Sequence, residues 1–414
     1  MSSPSAEPSN HRRVFVTGMG MISPFGNDRA SHIRSLRAGT NHFSEVTLFD
    51  CSRQRVNTAG MIDLADCSPQ HELSEKELKR LDRGGQMLMH ATGEALRDAK
   101  LTDIPENIPF VIGTSAGAMP LGEDYYRRAT TLPLSKRGQF TQVEHYQPQR
   151  SAATVQRGLG FRGQTQIISN ACASGANAIG HAYQLIKSGK QATALAGGYD
   201  AISEMVFTGF GSLQALCTSG IPRPFDAERD GLAIGEAAAM MVMESEESML
   251  ARGATPIAEV CGYGMATDLH HLTQPHPEGN AAISSMTAAC QDGDLQASEI
   301  QYINSHGTGT PLNDVAEANA ICQWAGEHAK DIMVSSTKSA MGHSLGGAGA
   351  IESAICLLAL EDQFAPASLN IRTPDPACQF DLVREPRDAK LDTVLTNSFG
   401  FGGCNATLIF RRNA

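Results

Sequence analysis

The sequence lacks several features that mark other classes of protein. No apolar run approaches the ~18 residues that a membrane-spanning helix requires. The chain has 33 basic and 44 acidic residues, so it has none of the basic excess of a nucleic-acid-binding protein. Its 10 cysteines are scattered singly, with no CxxC pair, and no signal peptide is visible. We therefore expect a cytoplasmic protein with neither a membrane nor a nucleic-acid partner.

Short apolar runs alternate with alanine-rich stretches along most of the 414 residues. Residues 1–12 are rich in Ser, Pro and Asn, and we expect a disordered tail there. Helices are predicted from the capping box at Ser74 past Arg97, after Cys172 as far as Gly189, and after Gly349. Strands are predicted at 13–17, 108–112, 166–169, 193–196, 238–243, 256–260, 301–304, 332–335, 393–396 and 406–410. This alternation predicts an α/β fold.

A weak internal repeat divides the chain. The segment VTGMGM at 16–21 resembles VCGYGM at 260–265. An Asp-x-x-Leu pattern precedes a Gly-Thr pair at the same spacing in both parts, at 98–114 and at 292–308. We therefore expect a duplicated α/β unit, with one half at 13–255 and the other at 256–414.

Three short patterns suggest other chemistries. Gly18-Met-Gly20 follows a predicted strand, but the third glycine of a dinucleotide loop is absent, which favours a tight turn. Residues 113–117 form a GxSxG pattern around Ser115 and leave a serine hydrolase as a remote alternative. His270, His271 and His276 share a loop, but their spacing matches no standard zinc pattern.

Cys172 differs from the other cysteines in its position. It lies in NACASG, where a predicted strand gives way to a predicted helix. The positive end of a helix dipole favours a thiolate by up to about 2 kcal/mol. From an ordinary thiol, that effect predicts a pKa near neutrality without a neighbouring base.

Three further loops follow predicted strands and are rich in Gly, Thr and Ser. They are NSHGTGTP with His306, SSTKSAMGHSLG with Lys338 and His343, and NSFGFGG at 397–403. Glycine allows backbone N–H groups to approach a ligand closely. Taken singly, each histidine is more typical of a packed or hydrogen-bonded residue than of a catalytic one.

Together these segments resemble the β-ketoacyl-acyl carrier protein synthases of the elongating type, in the thiolase superfamily. VTGMGMISPFG and RPFDAERDG also match, and the matches run in family order from residue 13 to 412. The resemblance implies a duplicated thiolase-like fold, a five-layer αβαβα sandwich, in a homodimer. A heterodimer with a chain-length subunit is the alternative assembly.

The resemblance also implies roles for individual residues. Cys172 matches the nucleophile, His306 and His343 the pair that activates the malonyl thioester, and Lys338 an ordering lysine. Phe401 matches a gate whose backbone N–H, with that of Cys172, forms an oxyanion hole. Gly400 belongs to the same implied gate and oxyanion hole. Implied phosphopantetheine or substrate contacts are Thr308, Thr310, Thr273, Phe399, Phe210 and Ala116. No metal or redox cofactor is implied.

The implied reaction is a decarboxylating condensation between an acyl-enzyme and malonyl-acyl carrier protein, as in fatty-acid elongation. Acyl carrier proteins are acidic, so docking needs a basic patch, for which Lys76, Lys79, Arg80, Lys136 and Arg137 match the family. Ala116 stands where a bulkier aliphatic residue often closes the acyl pocket. This departure keeps a dedicated polyketide or aryl-polyene ketosynthase as an alternative pathway. The intact nucleophile argues against a non-catalytic chain-length subunit.

Overall fold

The computed structural model describes residues 12–65, 67, 71–133 and 144–413. The strands are β1 (Val14–Ile22), β2 (Ser44–Glu45), β3 (Thr58–Ala59), β4 (Phe110–Gly113), β5 (Thr165–Ile168), β6 (Thr193–Asp200), β7 (Ala237–Ser245), β8 (Ala258–Thr267), β9 (Tyr302–Asn304), β10 (Met333–Ser335), β11 (Phe364–Ala365), β12 (Asp381–Leu382), β13 (Arg387–Asp388), β14 (Thr393–Phe399) and β15 (Cys404–Arg412). The helices are α1 (Arg29–Ala38), α2 (Glu75–Leu78), α3 (Arg83–Asp98), α4 (Met119–Thr131), α5 (Pro148–Gly158), α6 (Ser174–Lys187), α7 (Glu204–Ser212), α8 (Glu246–Ala251), α9 (Asn280–Asp292), α10 (Pro311–Ala325), α11 (Lys338–Met341) and α12 (Ala348–Asp362).

One mixed sheet contains the main strands of both halves. Its order is β12-β10-β9-β14-β15-β8-β1-β7-β6-β4-β5. Read outward from the centre, β1-β7-β6-β4-β5 and β8-β15-β14-β9-β10 have the same pattern of parallel and antiparallel neighbours. At the centre, β1 pairs with β8 over three residues, Val14–Val16 against Ala258–Val260. The two halves therefore share one topology.

Helices cover both faces of each half-sheet. In the first half, α3 and α5 lie on the outer face, and α6 packs on β4 and β6 from the inner face. In the second half, α9 packs on β8 and β15 and contacts α10, while α12 packs on β14 and on α6. The order is helix, sheet, helix, sheet, helix, which confirms the expected α/β class and its five layers.

The middle layer is almost completely buried. On α6, the predicted apolar residues Ile179, Ala182, Tyr183 and Ile186 are all buried. On α12, every residue from Ala348 to Leu360 is buried. This stretch of α12 has no solvent face, so its sequence is largely apolar all round and has little amphipathic periodicity. Among the described residues, no helix has the length and apolar character to cross a membrane.

The predicted helix from Ser74 past Arg97 is wrong in one respect, because it is two helices. The capping box at the start of α2 is present, with Ser74 N donating to Glu77 Oε2 at 3.0 Å. However, α2 ends at Leu78, and the Asp82 carboxylate begins α3 by accepting from the Gly84 and Gly85 N–H groups. An aspartate cap competes with helix continuation, and here it starts a new helix.

Candidate active site

Most of the predicted site residues line a cavity of about 360 Å³. Cys172 lies beyond the end of β5, His306 beyond β9 and His343 beyond β10. The strands β9 and β10 are parallel neighbours, so the two histidine loops at their carboxyl ends lie at one edge of the sheet, which is where α/β proteins bind ligands. The predicted residues that line the cavity are Cys172, Phe210, Thr273, His306, Thr308, Thr310, His343, Phe399, Gly400 and Phe401. The structure therefore brings the cysteine of the first half together with the two histidines of the second.

The Cys172 thiol is buried just before the first turn of α6. Burial raises the pKa of this thiol to about 12, although the Lys338 ammonium and the Phe401 N–H act in the opposite direction. The pKa near neutrality expected from the helix dipole is therefore wrong in direction, since loss of solvation outweighs the favourable charges. Attack by this sulfur requires a group that accepts its proton.

The two histidines form a buried pair. Their ring centroids are 5.3 Å apart and the rings are nearly perpendicular, at 85°. Burial lowers the pKa of His306 and of His343 well below the ordinary value of 6.5, and the Lys338 charge lowers both further. Both imidazoles are thus neutral at pH 7, and each has one N–H donor and one acceptor nitrogen.

Lys338 lies behind His306 and does not line the cavity. Its Nζ donates to the His306 carbonyl at 2.6 Å and to Glu352 Oε1, and it lies 3.4 Å from His306 Nδ1. An ammonium group beside Nδ1 favours the tautomer with the proton on Nε2. Lys338 and its partner thereby present an N–H donor of His306 to the cavity.

Two buried carboxylates of the site were missed by the sequence reasoning. Glu352 forms the ion pair with Lys338, and Glu317 accepts from the N–H groups of His306 and Gly307 at 2.8 and 2.7 Å. Glu317 holds the backbone of the histidine loop from α10. The signal for Glu352 was a single acidic residue within the apolar run AGAIESAICLLAL.

A polar loop at 308–311 lies on the route to the thiol. The Thr308 and Thr310 hydroxyls are 2.8 Å apart. The backbone around them is held by Asp314, which accepts from Gly309 N at 3.1 Å, and by Arg229, whose Nε donates to the Thr310 carbonyl at 3.1 Å. Both threonines line the cavity, so their hydroxyls add polar surface to it.

At the mouth, Phe401 stacks on Phe210 with centroids 5.8 Å apart. The Gly402 N–H donates to the Leu272 carbonyl at 2.8 Å, which joins the 399–403 loop to the loop that contains Thr273. Leu213, Leu272 and Leu312 also line the cavity and are exposed. The entrance therefore combines aromatic and aliphatic surface.

The remaining predicted residues lie outside the cavity lining. Ala116 belongs to a buried apolar cluster with Phe207, next to Phe210. The Ser115 hydroxyl donates to the Ala171 carbonyl at 2.8 Å, and no histidine accepts from it within the described chain, so the geometry does not support a serine hydrolase.

Three of the five predicted docking residues lie on α2 or just after it. Lys76, Lys79 and Arg80 are exposed, whereas Lys136 and Arg137 lie outside the described residues. In the loop after β8, His270 and His276 pack together with centroids 5.1 Å apart. Within the ranges given above, no cluster of three or more His, Cys, Asp or Glu side chains forms a candidate metal site.

Family models match most of the chain. The beta-ketoacyl synthase N-terminal domain matches residues 11–248, and the beta-ketoacyl synthase C-terminal domain matches residues 257–372. The chain therefore belongs to the beta-ketoacyl synthase family. A 3-oxoacyl-[acyl-carrier-protein] synthase 2 of Synechocystis is 38% identical over 97% of this chain and 98% of its own length. A Staphylococcus aureus protein of the same name is 37% identical over 98% and 99%.

Solved structures of ketosynthases have the same fold. The ishigamide ketosynthase/chain length factor superposes with a TM-score of 0.91 at 32% identity, covering 98% of this chain and 100% of that one. A ketosynthase in complex with its chain length factor from Xenorhabdus doucetiae gives a TM-score of 0.82 at 27% identity, covering 99% and 100%. These likenesses confirm the thiolase-like fold class.

Proposed function

We propose that this chain is an acyltransferase that catalyses the decarboxylating condensation of an acyl group on Cys172 with malonyl-acyl carrier protein. The product is the 3-oxoacyl-acyl carrier protein of fatty-acid elongation. The observation that carries the proposal is the convergence of Cys172, His306 and His343 on one cavity in a member of this family. The closely related synthases named above support the elongation pathway.

In the first half-reaction, the Cys172 sulfur attacks the thioester carbonyl of the acyl donor. The raised pKa of the thiol requires a proton acceptor, and a neutral imidazole of the histidine pair has a free nitrogen for that purpose. The tetrahedral oxyanion forms next to the backbone N–H groups of Cys172 and Phe401. Collapse releases the carrier thiol and leaves the acyl group on Cys172.

In the second half-reaction, malonyl-carrier protein loses carbon dioxide and its thioester becomes an enolate. His306 Nε2–H, set by Lys338, donates to the enolate oxygen, and His343 supplies the second donor. A well-placed donor of this kind is worth about 3–4 kcal/mol in oxyanion sites. The enolate carbon then attacks the acyl thioester, and the Cys172 sulfur leaves as a thiolate that takes up one proton from solvent. Every group in these steps is a side chain or a backbone N–H, so the proposal invokes no metal or redox cofactor.

The partner in both half-reactions is an acidic carrier protein. Lys76, Lys79 and Arg80 form the proposed docking patch, together with Lys136 and Arg137. Thr308, Thr310 and Thr273 are the proposed contacts of the phosphopantetheine arm. We place the enzyme in the cytoplasm, because its ten cysteines are scattered singly along the sequence with no CxxC pair.

We also propose the division at 255/256, in the connection between α8 and β8. The common strand order of the two half-sheets supports it.

A dedicated polyketide or polyene pathway is the second candidate. The ishigamide and Xenorhabdus structures each contain a chain length factor, which favours a heterodimer in that case. A homodimer is the proposed assembly for fatty-acid elongation. Co-expression with candidate chain-length subunits and native mass measurement separates the two assemblies.

The test is intact-mass and peptide mapping after incubation with acyl-carrier proteins that bear saturated or polyunsaturated chains. We expect an acyl adduct confined to Cys172, absent in Cys172→Ala and retained in Cys290→Ala, a control at a buried cysteine of α9. Addition of malonyl-carrier protein then discharges the adduct as a 3-oxoacyl product. An adduct that survives in Cys172→Ala, or no adduct from folded protein, contradicts the proposal.

A further inference from the structure

The GxSxG loop at 113–117 has no role in the reaction described above, yet it contacts the residue that precedes the nucleophile. Ser115 Oγ donates to the Ala171 carbonyl at 2.8 Å. Ser174 Oγ donates to the same carbonyl at 2.6 Å, and Ser174 N at 3.1 Å. Three donors thus converge on one carbonyl, which belongs to the peptide bond whose N–H is that of Cys172.

The backbone at this peptide bond is strained. Ala171 has φ +54, in the left-handed region that residues with a Cβ seldom adopt. Such a conformation persists only where the surroundings impose it. The three hydrogen bonds do so, because rotation of the Ala171–Cys172 peptide would break all of them together. They also polarise the peptide, so that its N–H becomes a stronger donor.

A buried carboxylate anchors Ser115. Asp200 is fully buried, and its Oδ2 accepts from Ser115 N at 2.9 Å and from Gly346 N at 2.7 Å. Its Oδ1 accepts from Thr114 Oγ1 at 2.5 Å and Ala116 N at 3.0 Å. Gly346 follows His343 by three residues, and a Cβ at position 346 would lie 2.5 Å from Ser115 N. Asp200 therefore joins the loop that braces the nucleophile to the loop that contains a histidine.

We propose that Ser115, held by Asp200, and Ser174 are positioning residues that aim the Cys172 N–H at the oxyanion of the thioester intermediate. The inference rests on the proposed function, since it concerns the acylation of Cys172. It gives the GxSxG serine a hydrogen-bonding role in place of the nucleophilic one that its motif suggested.

The test compares two reactions of the same sulfur. Acylation by an acyl-N-acetylcysteamine thioester develops an oxyanion, whereas alkylation by iodoacetamide does not. A small thioester also removes carrier docking from the measurement. We expect acylation to fall about threefold in Ser115→Ala, whose hydroxyl is within reach of solvent, and about tenfold in Ser174→Ala. Alkylation rates stay within about twofold of the unmodified chain in both variants.

Two further variants serve as controls, and thermal melting verifies that each is folded. Ser115→Thr keeps the hydroxyl and is expected to acylate at nearly the original rate. Ser353→Ala removes a buried hydroxyl that donates to the Gly349 carbonyl on α12, and we expect it to change neither rate. Equal loss of acylation and alkylation, or full acylation in both alanine variants, overturns the inference while leaving the proposed function standing. Absence of acylation in the unmodified chain overturns both.

Discussion

Replacing Glu352 with Gln tests the buried ion pair behind the histidines. Lys338 is 1% exposed and Glu352 is fully buried, so the substitution leaves an ammonium group in the core without its counter-charge. Loss of one partner of a buried pair typically costs about 3–5 kcal/mol. We therefore expect a destabilisation of about 4 kcal/mol at pH 7.

Urea unfolding and thermal melting at pH 7 measure this effect. Unfolding entropy scales with length, so the expected loss lowers the Tm of a 414-residue chain by about 4–5 °C. The matched control is the double variant Lys338→Met with Glu352→Leu, which removes both charges and is expected to recover most of the stability but no condensation activity. A Glu352→Gln variant with the same Tm as the unmodified chain, or a double variant less stable than Glu352→Gln, refutes the reasoning.

Three other predictions follow from the buried groups. Because the Cys172 thiol has a pKa of about 12, its alkylation rate is expected to rise about tenfold per pH unit from pH 7 to 9, and a plateau below pH 8.5 would contradict this. Burial lowers the pKa of His32 to about 4, so the unfolded chain takes up a proton first as the pH falls from 6.5. Between pH 7 and 4, the unmodified chain should therefore lose about 3 kcal/mol more unfolding free energy than His32→Gln, and parallel stability curves would speak against it. Ala116→Phe places a larger side chain in the apolar cluster beside Phe210. It should reduce kcat/KM for long acyl donors about 10- to 100-fold and leave kcat/KM for acetyl donors unchanged. Equal losses for both donors would exclude a role of this position in chain-length selection.

Much of the fold could be predicted because the main strands are short apolar runs with clear ends. The ten predicted strands correspond to β1, β4, β5, β6, β7, β8, β9, β10, β14 and β15. The helix after Cys172 was predictable from the apolar face of α6, which contains Ile179 and Ile186. The break between α2 and α3 after Leu78 could not be predicted from the sequence. Asp82 has no distinguishing sequence pattern, and only the structure shows that its carboxylate accepts from the Gly84 and Gly85 N–H groups of α3.

The site residues that lie in short motifs were predictable, whereas the properties that depend on burial in the folded chain were less so. Motifs place Cys172, His306 and His343 after strands, and the two histidines follow the parallel neighbours β9 and β10. The direction in which the Cys172 pKa shifts depends on burial by residues distant in the sequence, which the local sequence does not encode. Likewise, Glu352 on α12 meets Lys338 only because α12 lies between the two half-sheets.

The pairing of β1 with β8 over three residues also has a practical consequence. The connection between α8 and β8 leads directly into the strand that forms this pairing. A cut in that connection would leave one fragment with the Cys172 sulfur and another with the imidazoles of His306 and His343. Each fragment would keep a half-sheet of its own, but neither would contain a complete set of reacting groups. Condensation would return only when the fragments recombine through α6 and α12. The rate of condensation in a mixture of the two fragments would therefore measure their association.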